Sequence, residues 1–125
     1  MDVISTQNAP HHKWQSVCDA WPLVDQPGLS VKEEQMPPGA AETLHSHCVA
    51  RQFFYVLQGC LTIEAQGRAL ELTVGQGTEV PPGVAHRARN TGGTALRFLV
   101  VSSPSTAGDR HELPDQGPHG GATGG

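Results

Sequence analysis

Prolines at positions 10, 22, 27, 37, 38, 81, 82 and 104 interrupt this chain so often that no stretch is left for the long helices of a bundle. With 15 glycines and 10 prolines, a fifth of the 125 residues favour turns, while 37% hydrophobic residues still suffice for a core. The combination predicts a turn-rich all-β domain, and the length predicts one core. Eight Lys plus Arg stand against 12 Asp plus Glu, a formal charge of −4. A basic footprint for nucleic acid is therefore missing. No run approaches the ~20 apolar residues of a membrane span. Residues 1–10 (MDVISTQNAP) have no apolar stretch of signal-peptide length, and a cytoplasmic protein is expected. Cys18, Cys48 and Cys60 form no CxxC pair and are an odd number, so free thiols with packing roles are expected.

The apolar residues alternate. Leu61, Ile63 and Ala65 are followed, across Gln66-Gly67-Arg68, by Leu70, Leu72 and Val74, which predicts a hairpin. Phe53 to Leu57 (FFYVL) is an unbroken apolar run closed by Gly59, as in a strand covered on both faces, by the core and by a second sheet or subunit. Leu96 to Val101 has the same character, and Leu29 to Met36 is a more polar strand stopped by Pro37-Pro38-Gly39. Short strands at this spacing predict a sandwich or small barrel. Residues 1–28 are expected to be an N-terminal strand or arm, residues 29–103 the barrel and residues 104–125 a tail. The Gly-rich end of that tail is too poor in apolar side chains to offset its ordering entropy.

His45 and His47, at i and i+2, project from one face of a strand. By itself, such spacing is explained by an exposed strand face or a hydrogen-bonded core pair more often than by a metal. Gln52 shares its parity with Phe54 and Val56, and His86 follows Pro81-Pro82-Gly83, so four donors can converge; an inward Gln can equally hydrogen-bond a neighbour. His11, His12, His111 and His119 lie in the terminal segments and are expected at the surface.

The spacing carries a resemblance. Gly39, His45, His47, Gln52 and Gly59, separated by five, one, four and six residues, resemble the first cupin motif, with Gln52 where that motif has Glu. Gly75, Pro81, Gly83, His86 and Asn90, separated by five, one, two and three residues, resemble the second. The resemblance implies a small single-domain cupin: a double-stranded β-helix, or jelly-roll barrel, with one divalent metal ion per subunit, Zn, Ni, Mn or Fe. His45, His47, Gln52 and His86 would be its ligands, in a chain that commonly forms a homodimer. Asn90 is expected to close a turn.

With Gln52 for Glu, the implied donor set is neutral and leaves the metal's full charge on the site, which favours anionic oxygen ligands and stabilises charge developing on a carbonyl. The expected function is a metal-dependent enzyme, of isomerase or lyase type, acting on a small oxygen-rich and anionic metabolite. A non-catalytic small-ligand sensor or carrier and a cupin dioxygenase are the alternatives. Cupins that linearise unsaturated uronates are similar in having His, His, Gln and His, but the acid of their last core strand falls here on Val100. Glu33, Glu34, Tyr55, Glu79 and Arg89 are possible acids or bases whose facing the pattern leaves open.

Overall fold

The fold is taken from a computed structural model, which describes residues 1–114. The expectation of a disordered Gly-rich end concerns residues outside this range. Eleven strands form among the described residues, and there is no helix. In chain order they are β1 (His12–Trp14), β2 (Cys18–Gln26), β3 (Leu29–Met36), β4 (His45–Ser46), β5 (Arg51–Gln58) and β6 (Leu61–Ala65). There follow β7 (Arg68–Leu72), β8 (Gly77–Val80), β9 (His86–Arg89), β10 (Leu96–Ser103) and β11 (His111–Glu112).

They pair antiparallel throughout in two sheets, β1-β2-β3-β10-β5-β8 and β11-β4-β9-β6-β7. The all-β expectation holds, and the physical reason is the period-2 burial along the strands. β10 alternates buried and partly exposed residues from Leu96 onward, burying Leu96, Phe98, Val100 and Ser102. On β5 the same alternation buries Gln52, Phe54 and Val56. Phe98, Met36, Leu61, Ile63, Leu96 and Val56 are fully buried between the sheets, with Phe54 stacked on Phe98 at 6.2 Å.

The other parity of β5 answers the second-sheet half of the sequence expectation, in which a second sheet or a subunit would cover this face. Phe53, Tyr55 and Leu57 are exposed, because no second layer of the described chain covers the outer face of that sheet. Val74, expected in the hairpin's apolar set, lies beyond β7 and is exposed. Cys18 packs in the core, whereas Cys48, read as a packing residue, is exposed; all three cysteines are free thiols.

Two turns show what the local chemistry demands. Asn90 closes the loop after β9 as expected, its amide donating to the Met36 and Thr94 carbonyls and its carbonyl accepting from Gly92 N–H. Gly59 has φ +84°, and a Cβ there would lie 2.8 Å from the Ala95 carbonyl oxygen. Gly59→Ala is expected to cost about 1–3 kcal/mol, read as a lower urea midpoint at unchanged slope.

After β10 the chain does not leave the barrel. Residues 104–113 return as a strap across its mouth and end in β11, where His111 pairs with Ser46, Glu112 pairs with His45, and Leu113 N–H donates to the Leu44 carbonyl.

Candidate metal centre

His45 opens β4, His47 follows it, and His86 opens β9 directly opposite His45 in the register. Gln52 comes from the facing sheet, on the buried parity of β5. All four side chains that the sequence singled out are buried and adjacent. The His45 ring lies 4.9 Å from His47 and 4.5 Å from His86, centroid to centroid. Each of the three imidazoles offers a nitrogen within 4.8 Å of the others.

Their hydrogen bonds decide which nitrogen that is. Nδ1 of His45 donates to the Thr43 carbonyl at 2.7 Å, Nδ1 of His47 to the Asp109 carbonyl at 2.7 Å and Nδ1 of His86 to the Val84 carbonyl at 2.9 Å. A carbonyl only accepts, so each Nδ1 carries the proton and each Nε2 presents a lone pair to the centre. The Nε2 of His47 is buried without a hydrogen-bond partner. The Nε2 of His86 lies 3.0 Å from Oε1 of Gln52, whose Nε2 donates to the Ser102 hydroxyl at 3.1 Å. Two acceptors facing each other with no proton between them are stabilised by a cation. Burial holds His45 down at about 3 and His86 at about 4, and also lowers His47, so the imidazoles are neutral ligands at neutral pH.

Beside this cluster is a cavity of about 150 Å³, lined by Lys32, Glu34, Glu42, Phe54, Val100, Ser102, Thr106 and Arg110 together with His45, His47 and Gln52. It shares Lys32, Glu34, Glu42, Thr106 and Arg110 with an outer cavity of about 550 Å³ that reaches Trp14, Pro22 and the strap. Of the acids and bases whose facing was open, Glu34 points inward. Glu33 pairs with Arg97, Glu79 with Arg51 and Arg89 with Glu64, and Tyr55 lies on the outer face. His11 and His111 are at the surface as expected, His11 paired with Asp19; His12 is exposed and borders the outer cavity; His119 lies outside the described residues.

Sequence reasoning missed Glu42, Lys32 and Arg110. Glu42 is buried, with Oε2 accepting the Ala88 N–H at 2.8 Å and Oε1 4.0 Å from Nε2 of His45. It belongs to no strand, so no alternation marks it. Lys32 did leave a signal: buried Met36 sets the inward parity of β3, and Ser30, Lys32 and Glu34 share it. Burial pushes the Glu42 carboxyl up to about 8, helped by Glu34, and pushes Glu34 up to about 7.

These shifts give the metal-free protein a defined pH response. Below about 6.5 the unfolded chain protonates histidines that the fold keeps neutral, so His45 and His86 lower stability as pH falls toward their folded values of about 3 and 4. Glu34 and Glu42 act the other way: protonated in the fold and ionised in the unfolded chain above about 4.5, they lower stability as pH rises through about 7 and 8. Between 4.5 and 6.5 the two pairs offset each other. Chelator-treated protein, unfolded with urea at stepped pH, is expected to show a stability plateau there and a decline on both sides. A steady rise from pH 5 to 8 would contradict these assignments.

Comparison with known proteins places this geometry. The family model for the cupin domain matches residues 32–102. The protein is a cupin. Its sequence is 33% identical over 69 residues to the polyketide synthase CurC of Streptomyces cyaneus, covering 55% of this chain and 45% of that one. It is 31% identical over 67 residues to an oxalate-binding protein of Thermotoga maritima, covering 54% of this chain and 55% of that one. The match thus spans about half the length of each relative. Among solved structures, the polyketide cyclase RemF of Streptomyces resistomycificus superposes with a TM-score of 0.78 over 92% of this chain and 87% of that one at 20% identity. The double-stranded β-helix implied by the two motifs is therefore the fold of this cupin. No helix of the described residues is long and apolar enough to cross a membrane.

Proposed function

We propose that this cupin is a metal-dependent enzyme of isomerase or lyase type, acting on a small, oxygen-rich, anionic metabolite, with one divalent ion held by His45, His47, Gln52 and His86. The observation that carries this reading is the set of three inward Nε2 lone pairs, one of them buried without a partner. Such a group of neutral donors fits a divalent ion of the Zn, Ni, Mn or Fe kind. Bound there, the ion would supply Lewis-acid polarisation of a substrate oxygen.

The chain's own residues support the rest. Glu34 lines both cavities with its carboxyl raised to about 7, which suits taking a proton from a substrate carbon and returning it elsewhere. Lys32 and Arg110 stand where the inner and outer cavities join and offer cations to an anionic substituent. Phe54 and Val100 give the inner chamber an apolar wall that limits water. Two sequence relatives are named for polyketide synthesis and for oxalate binding, and both concern molecules rich in carbonyl or carboxylate oxygen. Glu34 and Glu42 in the cavity lining supply acids that catalysis would use, which favours an enzyme over a non-catalytic sensor or carrier. The exposed Phe53, Tyr55 and Leu57 face of β5 is consistent with a homodimer.

The test is elemental analysis beside a turnover screen on enolisable keto acids, uronates and phenolic polyketides. Near-stoichiometric metal is expected, with turnover lost on chelation, and Gln52→Glu is expected to hold the metal more tightly because it adds a negative charge. A wild type that is metal-free and refuses added metal would overturn the proposal.

A further inference from the structure

The segment that turns His45 and His47 inward turns Cys48 outward, toward residues of the strap. His45 and His47 are buried, Ser46 is partly exposed between them and Cys48 is exposed. His111 on the strap is registered opposite Ser46 and so shares the outer face. Cys48, Asp109 and His111 bring a thiol, a carboxylate oxygen and an imidazole nitrogen within 4.8 Å of one another. None of the three belongs to the inner ligand set.

Asp109 is held rigidly. Its Oδ2 accepts the Val49 and Ala50 N–H groups at 3.0 and 2.9 Å, and its Oδ1 accepts the Cys48 N–H at 2.8 Å. Those bonds fill Oδ2 and leave Oδ1 with a free lone pair on the side where Nε2 of His111 lies 3.6 Å away. Three backbone N–H donors aimed at one carboxyl favour its carboxylate form. A preformed carboxylate between an exposed thiol and an exposed imidazole needs only side-chain rotation of Cys48 and His111 to close on an ion.

We propose that Cys48, Asp109 and His111 form an outer cation site for a zinc-type ion, one protein layer away from the inner centre. The mixed sulfur, nitrogen and oxygen set selects a borderline-soft divalent ion and disfavours calcium or magnesium, which take oxygen ligands. Three protein ligands leave a fourth position open to water. Asp109 joins the two centres, since its carbonyl oxygen accepts the Nδ1 proton of His47 while its carboxylate faces the outer ion. Ion binding outside would fasten the strap to the 48–50 loop and hold His47 in the orientation that presents its Nε2 inward.

The probe is Co²⁺, whose thiolate complexes absorb strongly in the near ultraviolet where imidazole and carboxylate complexes do not. Full-chain protein, reduced and freed of metal, is titrated with cobalt chloride. The wild type and His86→Ala are expected to show the charge-transfer band, as is Cys60→Ser. The band is expected to vanish in Cys48→Ser and to need at least about tenfold more Co²⁺ in His111→Ala. Cys18 cannot supply it, because its thiol is buried and pushed up to about 11. A wild type without the band, a band that survives Cys48→Ser, or an unchanged titration in His111→Ala would each overturn the outer site. Because the band reports sulfur alone, failure of the inner centre shows separately, as metal content that does not depend on His86.

Discussion

His86→Ala is expected to empty the inner centre at neutral pH, taking it from near one ion per subunit to near none while the outer site keeps its own ion. His86 stands opposite His45 and touches Gln52 through its Nε2, so its loss removes one ligand and the neighbour that orients another. Two imidazoles with a neutral amide are too weak a chelate to survive dialysis against a competing ligand. Part of the effect is structural, since His86 is fully buried and packs edge-on against Phe54 at 5.8 Å. His47→Ala separates the two causes. That side chain lies at the end of β4 under the strap rather than in the packed core, and its Nε2 has no other partner to lose. Elemental analysis of both variants after dialysis, with the cobalt band of the outer site followed in parallel, checks the expectation. Full retention of inner-site metal in both would sink the ligand assignment.

Glu34→Gln is expected to lower turnover by about 10²–10⁴-fold while leaving bound metal unchanged. The substitution keeps the shape of the side chain and removes its proton chemistry. Glu34 is on β3, a strand that carries none of the four ligands; it lines the cavity and is not among the Nδ1 partners of the imidazoles. The wild-type rate is expected to show an ionisation near pH 7 that disappears in the variant, because burial sets the Glu34 carboxyl there. A variant that turns over at the wild-type rate with the same pH profile would remove Glu34 from the chemistry and leave Glu42 as the remaining interior acid.

Most of the fold was legible from alternation and punctuation. Leu29–Met36 is a strand with the bounds read from its sequence, Leu61 and Ile63 pair with Leu72 and Leu70 across the expected hairpin, and Asn90 closes its turn. Alternation reports parity within a strand, however, not what lies beyond it. The FFYVL run predicts cover on both faces by the core and by a second sheet or subunit, and within the described chain no second sheet stacks on its outer side, because coverage depends on which elements the topology places there.

By itself, the sequence determined the all-β class, the cupin motifs and the four side chains that gather in the barrel, because strand parity and motif spacing are local properties of the chain. Only the tertiary structure decided which acids stand beside them. Glu42 leaves the strand pattern, and Asp109 reaches His47 across 62 positions of chain. Contacts of that kind are set by how the two sheets close and where the strap returns. They have no period in the sequence from which they could be read.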